Sequence, residues 1–242
     1  MNLLQIRTKV VDLSGRHDLV VDITSYVDNG ANVFIQEGQK WLDRMLDTGP
    51  TKAKLFSNLA VGGWYVLMEN CRAIHEVWSN DGSDRVKLEK ASVKELREYY
   101  YAEPSASADQ GTPAHYAIGA TRTSPITDNQ ITIDSFYGAA ITSAVDEFTY
   151  KTLLIGPPAD DDYQIEVDGL FYQAKLTGDT DENFWSVQHP LVLVWAGLRQ
   201  LELTYRNKEG AKDWEDAVLG EIRLIDFDEV SEEGAEFDQI EG

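Results

Sequence analysis

One stretch decides the fold class: Pro190-Leu-Val-Leu-Val-Trp-Ala-Gly-Leu-Arg-Gln-Leu-Glu-Leu-Thr-Tyr205. Apolar residues recur in it every three or four positions, and Val192 and Leu193 widen the stripe, which indicates a helix buried over much of its girth. Proline suits the first helical position because its missing N–H would have no partner there. A second helix is predicted around Trp214–Ile225, and the short break between the two favours antiparallel packing.

Apolar residues at helical spacing also predict two helices near the start of the chain. The first covers residues 3–13, and Arg7 lies off the centre of its apolar stripe. The second covers residues 28–46, with Asp28 in the N-cap position. Its polar face carries Gln36, Glu37, Lys40, Asp43 and Arg44.

The middle of the chain changes to the two-residue alternation of β-strands. Strands are predicted at residues 65–68, 73–78, 85–89, 115–118, 150–155 and 163–168, with residues 170–176 continuing the sheet. Asn80-Asp-Gly-Ser83 is a turn sequence, so the second and third of these strands should form a hairpin. Ser92 and Glu95 form a capping box that begins a short helix ending near Tyr100. The pattern predicts a central antiparallel β region.

These elements predict an α+β fold with one main domain, residues 1–225. Residues 1–50 and 186–225 should form a helical bundle that includes the C-terminal antiparallel helix pair, and residues 60–180 a β-rich insert. Polar residues 119–149 lack strong periodicity and are predicted to form a projecting loop, within which residues 130–134 are compatible with a strand. Residues 226–242 are predicted to form an extended acidic C-terminal arm.

The charge of the chain excludes several classes of function. Its 242 residues carry 42 acidic and 21 basic side chains, a formal net charge of −21. A surface this negative repels phosphate groups, which argues against capture of nucleic acid and against binding to an anionic membrane. Apolar residues make up 43% of the chain, enough for a packed core, so full disorder is excluded.

Cysteine use and hydropathy give an expectation about the compartment. Cys71 is the single cysteine, so no intramolecular disulfide can form, which fits a reducing compartment. Residues 1–10 lack the apolar run of a signal peptide, and no stretch approaches the roughly 18 apolar residues of a membrane span. We therefore expect an intracellular chain with no membrane partner.

The acidic arm has an unusual composition. Residues 226–242 hold eight acidic residues and no Lys or Arg, which leaves a charge of −13 for the rest of the chain. A solvated, disordered tail is one interpretation. A segment that folds on a partner is the other, because spaced apolar residues interrupt the acidic run. These candidate partner-binding anchors are Phe227, Val230, Phe237 and Ile240.

No pattern of residues meets the requirements of a catalytic or metal site. Asp179–Asn183 begins like a calcium loop, but Phe184 stands where glycine is needed and Pro190 where a bidentate glutamate is needed. The four histidines are isolated, and P-loop, dinucleotide-binding and Gly-x-Ser-x-Gly sequences do not occur. We therefore predict no enzymatic activity, no metal and no cofactor. The alternative is a hydrolase that uses the carboxylates of Asp160–Asp162 or Asp179–Glu182.

Separated segments of the chain share their order and spacing with one known family. Residues 3–10, followed by the helix that ends Trp41-Leu-Asp-Arg-Met-Leu46, correspond to its opening helices. Residues 88–96, followed by Gly111-Thr-Pro-Ala-His-Tyr-Ala-Ile118, correspond to its central sheet region.

The second half of the chain continues the same pattern. Leu154-Ile-Gly-Pro-Pro-Ala-Asp-Asp-Asp-Tyr163 and then residues 164–169 correspond to a turn and a strand, and residues 180–185 with 189–196 to the entry of paired C-terminal helices. Together these segments resemble the head–tail connector (neck adaptor) proteins of tailed bacteriophages. The resemblance covers most of residues 2–225, whereas the loop at 119–149 is longer than the family pattern and the acidic arm is no part of it.

The resemblance implies a non-enzymatic structural protein of the virion neck, assembled in the host cytoplasm. Such proteins form a cyclic ring of about twelve copies that docks on the portal protein and offers its far rim to the next neck or tail protein. The ring connects the DNA-filled head to the tail, and an acidic channel would let DNA pass without binding it. The arm would then contact either the portal or a neighbouring subunit. The alternative suggested by charge is an acidic inhibitor that mimics DNA and binds a host DNA-binding protein.

Overall fold

A computed structural model describes residues 1–46, 51–68, 70–100, 110–121 and 149–238. Within these residues the predicted α+β class is confirmed, with six α-helices and two four-stranded sheets. The elements follow in chain order: α1 (Leu3–Ser14), a 3₁₀ turn (His17–Leu19), α2 (Ala31–Met45), β1 (Lys52–Leu59), β2 (Tyr65–Leu67), β3 (Cys71–Asn80), β4 (Arg85–Lys87), β5 (Glu89–Lys90), α3 (Val93–Tyr100), β6 (His115–Thr121), β7 (Thr149–Gly156), β8 (Tyr163–Phe171), α4 (Phe184–Gln188), α5 (Pro190–Thr204) and α6 (Lys208–Asp238).

The chain divides into two compact units. Unit 1 contains Met1–Lys52 and Tyr172–Gly242, and unit 2 is the continuous stretch Ala53–Phe171. Unit 2 is therefore inserted into unit 1, in the region where the sequence predicts a β-rich insert at residues 60–180. None of the helices in the described ranges is long and apolar enough to cross a bilayer.

Helix α5 lies at the centre of unit 1, as its apolar girth predicts. Helices α1, α2, α4 and α6 all pack against it, and seven of its residues are buried. Gly38 of α2 allows the closest approach, because a Cβ atom there would lie 2.7 Å from backbone atoms of Ala196 and Gly197. Trp41, Trp195 and Trp214 pack on this core while staying partly exposed.

Two helix boundaries differ from the sequence prediction. Helix α2 begins at Ala31, with Gly30 at the N-cap in a left-handed conformation (φ 113°), so the assignment of Asp28 as N-cap was wrong. Asp28 forms a β-bridge with Val20, while its carboxylate accepts bonds from the N–H groups of Gly30 and Asn32. Helix α6 continues to Asp238, where the sequence predicts an extended arm, because the run is rich in helix-forming Glu.

Unit 2 consists of two sheets with a main apolar core and a smaller apolar cluster of Leu96, Ala117 and Leu154. Their strand orders are β1-β8-β3-β4 and β2-β7-β6-β5. Pairing is antiparallel for β3 with both β4 and β8, and for β7 with both β2 and β6, whereas β5 and β6 run parallel. Val77, Ile165 and Val167 of the first sheet share the core with Leu153 and Ile155 of the second.

Local predictions in unit 2 are mostly confirmed. The hairpin of β3 and β4 pairs Asn80 with Arg85 across the predicted turn. The capping box is present, with the Glu95 N–H donating to Ser92 Oγ at 3.2 Å and the Ser92 N–H to Glu95 Oε2 at 2.7 Å. Strand β1 was not predicted, because its run Lys-Ala-Lys-Leu-Phe-Ser-Asn-Leu alternates only weakly.

Two further predictions concern the segments beside β6 and β8. Strand β8 ends at Phe171, so the predicted continuation of the sheet through residue 176 was wrong. Residues 173–176 instead give backbone carbonyls to the side chains of Gln36 and Gln39. Most of the predicted loop at 119–149, including residues 130–134, lies outside the described residues.

Candidate assembly surface

A short hairpin between α1 and α2 exposes three aliphatic side chains. Val20 and Asp28 form its antiparallel bridge, and the Val21 N–H donates to the Val27 carbonyl at 2.8 Å. The exposed fraction is 68% for Val21, 60% for Ile23 and 49% for Val27. We call residues 20–28 the apolar hairpin. Three exposed aliphatic side chains on one ordered hairpin make these residues a candidate contact surface.

The tip of the apolar hairpin is held by Asp22. Its Oδ1 accepts the N–H groups of Thr24 at 2.8 Å and Ser25 at 2.7 Å, and its Oδ2 accepts the Ser25 hydroxyl. The Ser25 hydroxyl and the two N–H groups hold the pKa of Asp22 below its ordinary value. The Tyr26 N–H completes the turn by donating to the Asp22 carbonyl at 3.0 Å. These bonds fix the turn that carries Ile23.

The base of the apolar hairpin rests on a buried arginine of α1. Arg7 is 1% exposed and its guanidinium donates to Tyr26 O at 2.8 Å, Asn32 Oδ1 at 2.9 Å and Asp179 Oδ1 at 2.7 Å. Asp28 Oδ1 lies 3.9 Å from the Arg7 Nε. A planar fork of donors suits several acceptors at fixed angles, so Arg7 joins α1, the hairpin, α2 and the 177–183 segment.

The side chain of Tyr26 forms a second link between the apolar hairpin and α1. Its backbone is in the left-handed region (φ 51°), and its hydroxyl donates to Asp12 Oδ1 of α1 at 2.7 Å. The hydrogen bond to Asp12 raises the pKa of Tyr26. The hairpin is thus fastened to α1 through both its backbone and a side chain.

The start of α5 provides a second apolar surface in unit 1. A cleft of about 240 Å³ lies between the first turns of α5 and Glu221 of α6, with Leu191 and Trp195 in its wall. Val187 of α4 and Leu191 are about half exposed beside it. We call this cleft the α5 groove. The apolar hairpin and the α5 groove share no residue.

The predicted arm anchors lie in or beyond the last turns of α6. Arg199 of α5 pairs with Glu215 at 2.9 Å, and the α5 groove reaches Glu221, so the two helices run antiparallel. Residues after Ile225 therefore prolong α6 past Pro190, where α5 begins. Of the predicted anchors, three belong to α6 and one lies outside the described residues: Phe227, Val230 and Phe237, and then Ile240. Their role stays a prediction.

The first carboxylate cluster considered for catalysis serves the fold. Asp181 Oδ2 accepts the N–H groups of Thr177 and Gly178, which lower its pKa. The backbone carbonyls of Asp181 and Asp179 accept the N–H groups of Leu3 and Leu4, at the start of α1. The 177–183 segment therefore caps α1 and anchors Arg7.

One residue of the second cluster, Asp162, lines a cleft of about 520 Å³ in unit 2. Asp160 accepts the Tyr163 hydroxyl at 2.8 Å, and Asp162 accepts the Val61 N–H at 3.3 Å. Asp81 and Asp162 lie in the wall of this cleft, whose lining residues include no His, Cys, Ser or Lys. Across the described ranges, no group of three or more His, Cys, Asp or Glu is placed to hold a metal ion.

Arg7 and Asp43 are two of the buried charged residues that sequence reasoning missed. The sequence places Arg7 off the centre of the stripe and Asp43 on the polar face of α2, yet both are buried. A signal was present, because Arg7 lies four residues after Leu3 and Asp43 lies four after Gln39, both on buried sides of their helices.

The sequence was compared with protein families and with curated proteins. The sequence matches no protein-family model, and a search of curated proteins finds no match.

Proposed function

We propose that the protein is a structural component of the bacteriophage neck, which forms a ring on the portal and connects the DNA-filled head to the tail. The observation that carries this proposal is the apolar hairpin. Its aliphatic side chains are exposed, yet Arg7, Asp22 and Tyr26 hold its backbone in one conformation. A rigid apolar surface loses little entropy on docking, which favours protein–protein contact over catalysis as its role.

The ring follows from contacts between different surfaces. A contact of the apolar hairpin with the α5 groove of a neighbour would be heterologous, and repeated heterologous contacts close into a ring when the rotation between subunits allows it. The family resemblance suggests about twelve copies in such a ring. The portal and the next neck or tail protein would occupy its two rims.

The charge supports passage of DNA through the ring. The chain carries −13 outside the arm, and this charge is repeated in every subunit. Carboxylates that face a channel repel phosphates, so DNA would move through without specific binding.

The proposal also assigns roles to the helices of unit 1 and to the acidic arm. The helices would act as one bundle whose antiparallel pair, α5 and α6, forms part of the wall between subunits. Residues 226–242 would be an arm that reaches a partner protein, with Phe227, Val230, Phe237 and Ile240 as its anchors. The spacing of these apolar residues in an acidic run supports this role.

Electron microscopy of the full-length protein mixed with its portal tests the proposal. We expect an additional annular layer on one face of the portal, absent from images of portal alone. Portal particles without that layer, at protein concentrations well above micromolar, would count against a neck adaptor. Competition of the protein with DNA for a host DNA-binding enzyme would favour the DNA mimic instead.

A further inference from the structure

Unit 1 carries a basic surface in an otherwise acidic chain. Lys40 and Arg44 lie on one exposed stripe of α2, and Lys175 is exposed on the adjoining segment. We call these three residues the basic ridge. Glu37, one turn before Lys40, is the acidic residue on the same stripe of α2.

The basic ridge is built from two elements that are bonded side by side. Gln39 Nε2 donates to the carbonyls of Gln173 at 3.0 Å and Ala174 at 3.1 Å, and Gln36 Nε2 donates to the Leu176 carbonyl at 2.8 Å. Arg44 Nε donates to the Tyr172 hydroxyl at 3.2 Å. These bonds hold residues 172–176 beside α2, so Lys175 belongs to a segment fixed next to Lys40 and Arg44.

The basic ridge keeps an excess of positive charge. Lys40 Nζ lies 2.8 Å from Glu37 Oε1, so this pair is neutral. The Tyr172 hydroxyl and the nearby Glu37 carboxylate both raise the pKa of Arg44, and neither Arg44 nor Lys175 forms an ion pair within 4 Å among the described residues. The three cations of the basic ridge still outnumber its one carboxylate, in a chain whose net charge is −21. Such a surface favours an acidic segment as its partner.

The acidic segment with the matching charge is the arm of this same chain. Residues 226–242 contain eight acidic and no basic residues. Phe227, Val230 and Phe237 are separated by three and seven residues, the sequence spacing of an apolar stripe on a helix. Acidic residues stand between them in the sequence, so the arm offers both apolar and anionic groups.

The position of the arm points to a second copy as the binding partner. Along its described length α6 packs mainly against α5. Residues 226–238 overhang the start of α5 by about 20 Å, at 1.5 Å for each helical residue. A continuous helix cannot fold back on its own α2 without breaking.

We infer that the basic ridge of one copy binds the acidic arm of a second copy. Lys40, Arg44 and Lys175 would pair with carboxylates of the arm, while the half-buried rings of Trp41 and Tyr172 would contact its apolar stripe. This inference rests on the proposed ring, and it identifies the neighbouring subunit, and not the portal, as the partner of the arm.

A peptide titration tests the contact without requiring a ring. The probe is a fluorescent peptide with the sequence of residues 226–242. The receptor is the full chain with Glu229→Gln, Glu232→Gln, Glu233→Gln and Glu236→Gln, so that its own arm competes weakly. We expect saturable binding at low salt, weakened by added salt. Adding Lys40→Glu, Arg44→Glu and Lys175→Glu should lower the affinity at least about tenfold.

A matched charge reversal elsewhere provides the control. Lys94→Glu, Lys208→Glu and Lys212→Glu alter the net charge equally at exposed sites and should leave the affinity within about twofold. Absence of saturable binding, or equal losses from the two reversals, would overturn the inference. The portal experiment tests the neck function separately. An annulus on the portal without peptide binding would support the neck function and reject the contact between ridge and arm. Peptide binding without an annulus would support the contact and reject the neck function.

Discussion

Asp43 of α2 and Trp185 of α4 are joined inside unit 1 by a hydrogen bond of 2.6 Å from the indole Nε1 to Asp43 Oδ1. Both side chains are fully buried, and Asp43 Oδ2 also accepts the Gln173 N–H at 3.0 Å. One carboxylate thus ties α2 to the segment that returns from unit 2 and to the helix that follows it. Burial of a carboxylate is costly unless its oxygens accept hydrogen bonds, as both oxygens of Asp43 do.

Asp43→Ala should lower the free energy of unfolding by about 2–4 kcal/mol, because it leaves the indole and the Gln173 N–H without their acceptor. Urea unfolding followed by tryptophan fluorescence measures the loss. Glu37→Ala, on the exposed side of the same helix, is the control and should change stability by less than about 0.5 kcal/mol. Equal losses in the two variants would contradict the role assigned to Asp43.

The double variant Val21→Thr, Ile23→Thr should weaken assembly while preserving the fold. Threonine keeps the β-branch of these exposed positions but puts a hydroxyl in place of a methyl of Val21 and of the ethyl group of Ile23, so the apolar area offered to a partner falls. We expect the affinity for the portal complex to drop at least about tenfold, with unfolding unchanged within about 0.5 kcal/mol. Val61→Thr with Val86→Thr, on exposed valines of unit 2, should leave binding intact. Unaltered binding by the hairpin variant would remove the hairpin from the docking surface.

Arg7→Lys should loosen the apolar hairpin, although it keeps the positive charge. A lysine ammonium cannot reproduce the fixed fork that serves Tyr26 O, Asn32 Oδ1 and Asp179 Oδ1. The free energy of unfolding should fall by about 2–3 kcal/mol. Hydrogen exchange gives the specific readout, because the Val21 N–H should lose protection more than the amides at the centre of α5. Uniform loss across both sites would indicate global destabilisation and no special link to the hairpin.

Glu166 of β8 should make the stability of unit 2 depend on pH. Its carboxylate accepts Lys54 Nζ at 2.8 Å and Arg85 Nε at 2.9 Å, and these bonds lower its pKa from the ordinary value of 4.5. Because the folded-state pKa is the lower one, this stabilisation is fully present above about pH 4.5 and is lost as the pH falls through the folded-state value.

Comparison with Glu166→Gln isolates that contribution. Wild type should be more stable than the variant near neutral pH, and the difference should shrink as the pH approaches about 3. Glu98→Gln, at an exposed pair on α3, is the control. A difference in stability that stays constant between the two pH values would show that the carboxylate charge is not the cause.

Much of the fold was predictable because its signals are local. The periodicity of α1 and α5, the turn at Asn80–Ser83 and the capping box at Ser92 each depend on residues close together in the chain. Strand β1 and the end of β8 were missed, since edge pairing and the path of residues 172–176 depend on partners more than a hundred residues away.

The candidate surface was less predictable for the same reason. The sequence indicates an acidic arm, but it gives no reason to single out Val21, Ile23 and Val27, which look like ordinary strand residues. Their exposure depends on Arg7, whose acceptors include Asp179 at a separation of 172 residues. The available clue was the charge of Arg7 at a core position of α1, and its meaning becomes clear only when its distant acceptor Asp179 is known.

The insertion of unit 2 between the halves of unit 1 determines the order in which a ribosome can complete them. Helices α1 and α2 emerge early, yet the α5 surface that buries Ile35 and Val10 follows only after all of Ala53–Phe171 has been made. Unit 2 is continuous, so it can fold while the apolar faces of α1 and α2 are still uncovered. Newly made chains therefore pass through a stage with an exposed helical core, in which premature contact between copies competes with folding.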